Sequence, residues 1–407
     1  MSALRLLCFR HPLVIVKQNH LIRNSTLALA PADDGYYAFD IESRTLHWYN
    51  PTAALIIELC DGSRNQKEIS LLLAQLQGST GECTTWIQQA LDYGWVKPID
   101  AKFLDEYPSA QTVVDLAWDL REEGEYLASY VCQEYVVELQ PEPSTHWRYL
   151  GEISHIVGRR ERALEAYEKY LTLKPYDAEI SLIVVALRDE SPPERAPDEY
   201  IQQVYTRFAS FYEDNMRDEL GYNGPERVGS LLDQFLDDTD GLNVLDMGCG
   251  TGLSGAPLKS RSESLTGIDL SAEMLKKAET TGIYDILECA EITEWLANNK
   301  SSFDLIVACD ACIYFGDLGQ IIRPANQHLN PGGWMLVSVE KGDLYPFHLS
   351  DSGRYSHTQR HIEEIATDTG LEVLDIDEGF LRSEYSKPVI ALMVLMRKPF
   401  KADVSCR

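Results

Sequence analysis

The residues with the clearest chemical potential form one run, Asp246-Met247-Gly248-Cys249-Gly250-Thr251-Gly252, which follows the apolar stretch Val244-Leu245. A buried strand ending in closely spaced glycines makes a turn that tolerates positive φ and lets backbone approach a ligand. The helix opened by such a turn presents N–H groups at the carboxyl end of the strand. Asp246 stands two residues before the first glycine. Its charge repels a pyrophosphate and attracts a sulfonium or an amino group. Dinucleotide fingerprints also place an acid on the second strand, but they require G-x-G-x-x-G without the preceding acid. A bare strand-to-helix turn is the remaining reading.

The following segments continue the pattern. Leu265-Thr266-Gly267-Ile268-Asp269-Leu270 reads as a strand ending on an acid placed for ribose hydroxyls, with Ser271 as cap of the next helix. A third strand, Asp285 to Cys289, leads into Ala290-Glu291-Ile292, an edge suited to an adenine ring. A fourth, Phe303 to Cys309, delivers Asp310 to the same crevice, and Leu329-Asn330-Pro331-Gly332-Gly333 turns into a fifth.

The motifs VLDMGCGTG, GIDLS, FDLIVACD and LNPGGW, in this order, resemble the class I S-adenosylmethionine-dependent methyltransferases over roughly residues 200–400. VYTRFASFYEDNMRDELGYNGP ahead of the loop and SGRYSHTQRHIEEIA behind it are similar to the members fused to tetratricopeptide repeats. The resemblance implies a Rossmann-like α/β domain with a seven-stranded sheet whose last strand, about Val389 to Met396, runs antiparallel. It implies S-adenosyl-L-methionine as cofactor. Asp246, Gly248 and Gly250 would contact its methionine part, Asp269 would hold its ribose and Ala290, Glu291 and Ile292 its adenine, with Cys249, Gly252 and Leu270 as further cofactor-binding residues. Asp310 would hold the amino group or the substrate. Glu291 departs from the family's usual Asp.

Methyl transfer is an in-line displacement that depends mainly on alignment, and a hydroxyl or protonated amine acceptor also needs a base. Asp310, Tyr314 and His357 are the catalytic candidates. Tyr205, Phe208, Phe211 and Tyr212 recur at helical spacing and suit a lid over the cofactor, with Tyr205, Phe208 and Tyr212 as substrate-binding candidates. Asp317 follows Tyr314, and Arg354 and Tyr355 share a polar insertion with His357; His348 is a weaker candidate. Cys309 and Cys312 form a C-x-x-C without a second pair or neighbouring His, so no metal site is expected.

These residues need a frame, and the chain suggests three segments. Residues 198–407 alternate strands and helices, the pattern of a parallel sheet. Residues 105–190 read as helical repeats with a period of 34, visible in Gly124 and Gly158 and in Pro141 and Pro175. A further helix from Tyr176-Asp177 would cap them, and Ser191 to Asp198 (SPPERAPD) reads as a linker.

Residues 1–100 combine strand candidates at Leu13–Val16, Tyr36–Phe39 and Thr45–Trp48 with three helices, the first capped by Asn50 and opened by Pro51. NPTAALIIELCDG and GSRNQKEISLLLAQL resemble the PqqD-like peptide-binding domains, which are winged-helix-like α+β modules with one three-stranded sheet. That resemblance implies capture of a leader peptide as an added strand. Leu46, Trp48, Ala54 and Ile57 would line or support the groove.

The chain has 407 residues and a formal charge of −28, from 64 acids and 36 bases. This field disfavours nucleic acid and anionic membranes. Nine dispersed cysteines and no secretory signal indicate a reducing, cytoplasmic setting. The expectation is a methyltransferase acting on a peptide or protein acceptor recruited by the front segment. Its alternatives are a small-molecule O- or N-methyltransferase and a silent cofactor-binding scaffold.

Overall fold

The structure is a computed structural model that describes residues 20–77, 81–99, 108–209, 212–214, 216, 219–236, 241–384 and 387–400. The strand expected at Leu13–Val16 and the lid candidate Phe211 lie outside these residues. The chain divides into two compact units, Met1–Leu173 and Lys174–Arg407.

The first unit opens with β1 (His20–Arg23) and an antiparallel meander of β2 (Leu27–Ala32), β3 (Gly35–Asp40) and β4 (Thr45–Tyr49). Asn50 caps α1 (Pro51–Leu59), its Oδ1 accepting the Ala53 N–H at 2.8 Å. β5 (Asp61–Asn65), α2 (Gln66–Gln77), α3 (Gly81–Asp92) and β6 (Val96–Pro98) follow. β5 and β6 flank β1, so the front segment holds two three-stranded sheets where one was expected.

The meander is buried on both faces through strict alternation. Ala28, Ala30 and Phe39 pack on helices α4 (Ala110–Glu122), α5 (Tyr126–Leu139) and α6 (Ser144–Ile156). Leu27, Leu29 and Ala38 pack with Ala53 and Ile57 of α1. With α7 (Arg160–Leu173), the helices form two hairpins that turn at the left-handed glycines Gly124 and Gly158. A Cβ on Gly151 would lie 2.4 Å from the Tyr167 ring, so only glycine lets α6 cross α7 this closely.

The second unit starts with α8 (Ala178–Leu187), whose Leu182 and Ala186 lie in its core. The helix expected to cap the repeats therefore packs with the α/β segment instead. Next come α9 (Asp198–Phe208), the short α10 (Tyr212–Asp214) and α11 (Gly224–Leu236). The alternating series is β7 (Leu242–Met247), α12 (Gly255–Lys259), β8 (Ser262–Asp269), α13 (Ala272–Thr281), β9 (Ile286–Cys289), α14 (Ile292–Asn298), β10 (Phe303–Ala308) and α15 (Gly319–His328). It closes with β11 (Leu329–Lys341), β12 (Phe347–Leu349), β13 (Tyr355–His357), α16 (Gln359–Thr369), β14 (Glu372–Glu384) and β15 (Lys387–Arg397).

The sheet has nine strands among the described residues where seven were implied: seven lie in the order β9-β8-β7-β10-β11-β15-β14, β15 runs antiparallel to both neighbours, and β13 and β12 extend from β11. This matches the mixed sheet and antiparallel last strand implied by the sequence. Leu245, Met247 and Ile306 face one helical layer, while Val244, Leu305 and Val307 face the other. Strands buried on both faces read as continuous apolar runs, which is why VLDM and FDLIVA stand out. The chain leaves β7 toward β8 on one side and returns as β10 on the other, so a crevice opens between their carboxyl ends. No helix among the described residues is long and apolar enough to cross a membrane.

Candidate functional site

The crevice encloses about 850 Å³ of empty space, including open solvent. Three strands each deliver an acid to it: Asp246 from β7, Asp269 from β8, and Asp310 just beyond β10.

The turn after β7 is built from left-handed glycines, Gly248 at φ 74° and Gly250 at φ 56°. A Cβ on Gly248 would lie 2.5 Å from the Ala311 Cβ, whereas the space around Gly250 is open. Asp269 is fixed by two backbone donors: its Oδ2 accepts the Gly250 N–H at 2.9 Å and its Oδ1 the Ser271 N–H at 2.8 Å. Burial nevertheless lifts its pKa above the ordinary range.

Asp246 is 1 % exposed. Its Oδ2 accepts the Tyr284 O–H at 2.7 Å. Burial pushes its pKa up to about 7, with the Asp269 charge adding and the phenol opposing. Tyr284 reaches Asp246 through a slot floored by glycines. A Cβ at Gly252, Gly255 or Gly267 would lie 3.0, 3.0 or 2.8 Å from its ring. Gly252 thus makes room for Tyr284 and does not itself line the crevice.

Beyond β9, Ile292 and Glu291 line the crevice. Glu291 is already engaged, because its Oε2 caps α14 by accepting the Glu294 N–H at 2.8 Å and its Oε1 pairs with Arg195 at 2.6 Å. Ala290 instead packs against the core and donates its N–H to the Asp269 carbonyl at 3.0 Å. Arg195 comes from the stretch read as a linker. That stretch is strapped to the loop after β10: Ala196 N–H donates to the Tyr314 carbonyl at 2.8 Å, and Gly316 N–H to the Glu194 carbonyl at 2.8 Å.

The opposite wall is aromatic. Tyr205, Tyr212, Tyr222, Tyr314 and Phe315 line it with Cys309 and Asp310. The Tyr205 and Tyr314 hydroxyls are 2.7 Å apart. Burial raises the pKa of all four phenols, so they stay protonated. Asp310 has φ 57°, a strained value for a non-glycine residue, and both its oxygens accept from Arg382 Nη1 at 2.9 and 3.1 Å. Arg382 is buried and also pairs with Glu340 and Glu384, and Glu384 in turn pairs with Arg354. Burial would lower the Arg382 pKa, but Asp310 and Glu340 hold it above its ordinary value.

Several expected site residues lie elsewhere. His357 is fully buried, and its Nε2–H donates to the Phe315 and Gly316 carbonyls at 2.8 and 3.0 Å. Burial lowers its pKa to about 4, so it is a structural residue and not a base in the crevice. Tyr355 is buried beside it and donates its O–H to the Pro193 carbonyl at 2.7 Å. Phe208 lies outside the crevice under the Arg207 guanidinium, and Arg354 stands behind the wall in the ion network. His348 is also outside the crevice, and Asp317 accepts the Gly319 N–H at 2.8 Å in its own loop. In the first unit Leu46 and Trp48 are 39 % and 50 % exposed, whereas Ala54 and Ile57 are core residues, a position that suits supporting a groove rather than lining it. Burial lifts the Cys309 and Cys312 thiols to about 11 and about 12, leaving neither reactive. Arg195, Tyr222, Tyr284 and Arg382 were not anticipated. The run of glycines opposite Tyr284 was the one sequence signal available for any of them.

The doubly wound sheet with its glycine turn and acids defines a nucleotide-type α/β domain. Residues 244–333 match the family described as "Methyltransferase domain". A "Ubiquinone biosynthesis O-methyltransferase" of Caulobacter sp. (strain K31) is 30 % identical over 118 residues, covering 28 % of this chain and 47 % of that protein. The mitochondrial protein of that name from Rattus norvegicus is 32 % identical over 106 residues, covering 24 % and 31 %. The 1,6-didemethyltoxoflavin-N1-methyltransferase of Burkholderia thailandensis, solved with S-adenosylhomocysteine, has a TM-score of 0.40 and 20 % identity, covering 51 % of this chain and 93 % of that one. The chain spans about half the length of the first curated relatives it matches. It carries a class I S-adenosylmethionine-dependent methyltransferase domain.

The crevice residues fit that cofactor. Thr251 Oγ1 is buried at its lining without a hydrogen-bond partner among the described residues, and two left-handed glycines and two buried carboxylates adjoin it.

Proposed function

We propose that the second unit transfers a methyl group from S-adenosylmethionine to a small-molecule acceptor held in the same crevice. The observation that carries this reading is the continuity of the glycine–acid half with the tyrosine-lined half in one cavity. The names of the curated relatives, all O-methyltransferases of ubiquinone biosynthesis, support it.

When bound, the cofactor supplies an electrophilic methyl carbon on a sulfonium. Asp246 would meet its cationic part, Asp269 would accept from the ribose hydroxyls, and Ile292 would lie toward the purine. Thr251 offers its buried hydroxyl. The tyrosine wall excludes water, and the Tyr205–Tyr314 pair orients the acceptor by hydrogen bonding, so the chain contributes mainly alignment. Asp310, whose carboxyl oxygens accept from Arg382, is the group on this wall that takes a proton from a hydroxyl or ammonium acceptor.

Calorimetry with S-adenosylhomocysteine tests the cofactor half, and Asp269→Ala is expected to lose most of the affinity. Mass spectrometry of a panel of aromatic hydroxyl and amine compounds incubated with chain and cofactor tests the transfer. Failure of S-adenosylhomocysteine to bind would overturn the reading.

A second reading keeps the chemistry and makes the acceptor a peptide. It takes the front segment as PqqD-like and the helix hairpins as tetratricopeptide repeats. The observation favouring it is that β4 pairs only with β3 among the described residues and exposes Leu46 and Trp48. If Trp48→Ala weakens transfer to a peptide but leaves S-adenosylhomocysteine affinity unchanged, this reading gains. Small-molecule transfer indifferent to Trp48→Ala favours the first.

A further inference from the structure

The acceptor wall has a geometry that selects a kind of charge. Tyr205 stands at the corner of three rings. Its ring centroid is 5.9 Å from that of Tyr212 at an interplanar angle of 67°, and 6.0 Å from that of Tyr314 at 83°. Rings this steeply inclined form walls rather than a stack, and all three line the cavity. The Tyr205–Tyr314 hydroxyl bond, at 2.7 Å, locks the corner. Asp310 lines the same cavity.

The ion network behind this wall is not balanced. Asp310, Glu340 and Glu384 bring three negative charges, while Arg382 and Arg354 bring two positive ones. A net negative wall faced with phenol rings repels carboxylates and attracts onium groups, whose charge interacts with aromatic faces. A neutral aromatic acceptor would use the rings but gain nothing from the charge.

We infer that Tyr205, Tyr212, Tyr314 and Asp310 form an onium cage that holds an ammonium group of the acceptor. This rests on the small-molecule reading and narrows it to amine-bearing acceptors. The ammonium is the recognised group; it need not be the atom that is methylated. An onium could also come from the cofactor's own sulfonium, so the test separates the two sources.

The probe is tetramethylammonium chloride, titrated by calorimetry into the full-length chain saturated with S-adenosylhomocysteine, with sodium chloride and the neutral tert-butanol as controls. The expected result is saturable binding of tetramethylammonium alone. Tyr212→Leu should weaken it about tenfold and Tyr212→Phe less than about twofold, since the π face and not the hydroxyl makes the contact. Both variants should retain S-adenosylhomocysteine affinity, which shows that they are folded. Binding to the cofactor-free chain that S-adenosylmethionine or S-adenosylhomocysteine abolishes would assign the cage to the cofactor and overturn the acceptor assignment. No tetramethylammonium binding while S-adenosylhomocysteine binds would overturn the cage itself. Tetramethylammonium binding without any S-adenosylhomocysteine binding would keep the cage and remove the transferase reading.

Discussion

Asp246→Asn should make the second unit more stable at neutral and alkaline pH while weakening its hold on the cofactor. Asp246 is 1 % exposed, and its one recorded polar contact is the Tyr284 phenol. Burial moves its pKa from an ordinary 3.8 to about 7. The folded chain therefore keeps this proton where the unfolded chain has lost it, and stability falls as pH rises from about 4 to about 7 and then levels. At about 1.4 kcal/mol per pH unit, the full cost is about 4 kcal/mol above pH 7. Asparagine is isosteric, cannot ionise, and still offers a carbonyl to the Tyr284 O–H. In a unit of this size the variant should melt at least roughly 8 °C higher at pH 8 and close to wild type at pH 4. Thermal unfolding of both chains across that range, with S-adenosylhomocysteine titrations at pH 8, is the assay. Parallel stability curves from pH 5 to 8 would refute the assignment of this cost to Asp246. A gain in stability with unchanged affinity would refute its role toward the cofactor.

Three further substitutions probe the surroundings. Tyr284→Phe keeps the ring in its glycine slot but removes the donor to the buried Asp246 carboxyl, so calorimetry should show about tenfold weaker S-adenosylhomocysteine binding, and thermal unfolding a loss of about 1–3 kcal/mol. His357→Leu should cost about 2 kcal/mol by leaving the Phe315 and Gly316 carbonyls unpaired. Because the folded pKa is about 4 against 6.5 unfolded, wild type loses stability as pH falls through that interval and the variant lacks this component, while the pH–rate profile keeps its shape. Glu291→Ala removes both the α14 cap and one of the two carboxylate partners of Arg195, so it should cost about 1 kcal/mol and speed tryptic cleavage after Arg195, read by limited proteolysis.

What the sequence revealed was what it encodes contiguously. The turn after β7, the acid ending β8 and the antiparallel β15 all follow from short patterns of glycine, acid and apolar residues. Contacts closed over long separations left no such trace. Tyr284 meets Asp246 across 38 residues, and Arg382 meets Asp310 across 72. Arg195 sits in a proline-rich stretch whose composition signals a linker, and only its pairing with the loop after β10 orders it. His357 and Tyr355 misled for a related reason. Their polar neighbourhood suggested an acceptor loop, but β13 pairs with β11, and its alternation turns both side chains into the core while Ser356 remains partly exposed. Ala54 and Ile57 show the same limit in the first unit: a helical motif reveals which residues form a face, but not whether that face is a groove or a core.

The three acids that the strands deliver to the crevice differ in how their charge is met, and the difference locates the ligand's charge. Asp269 has two backbone N–H donors, and Asp310 has a buried guanidinium. Asp246 has a phenol, which lowers its pKa far less than burial raises it. A buried carboxylate without an adjacent cation is among the most costly groups a core can hold. Replacing it by a neutral residue would be the simplest gain in stability, so its presence beside the glycine turn points to a cation supplied from outside the chain. A positive group placed against Asp246 would restore its ionised form and drive proton release on binding at pH near 7. Calorimetric enthalpies of S-adenosylmethionine binding in buffers of different ionisation enthalpy should therefore reveal proton release at pH 6.5 that disappears at pH 8.5 and in Asp246→Asn. Binding with no buffer dependence at pH 6.5 would place the cofactor's charge elsewhere.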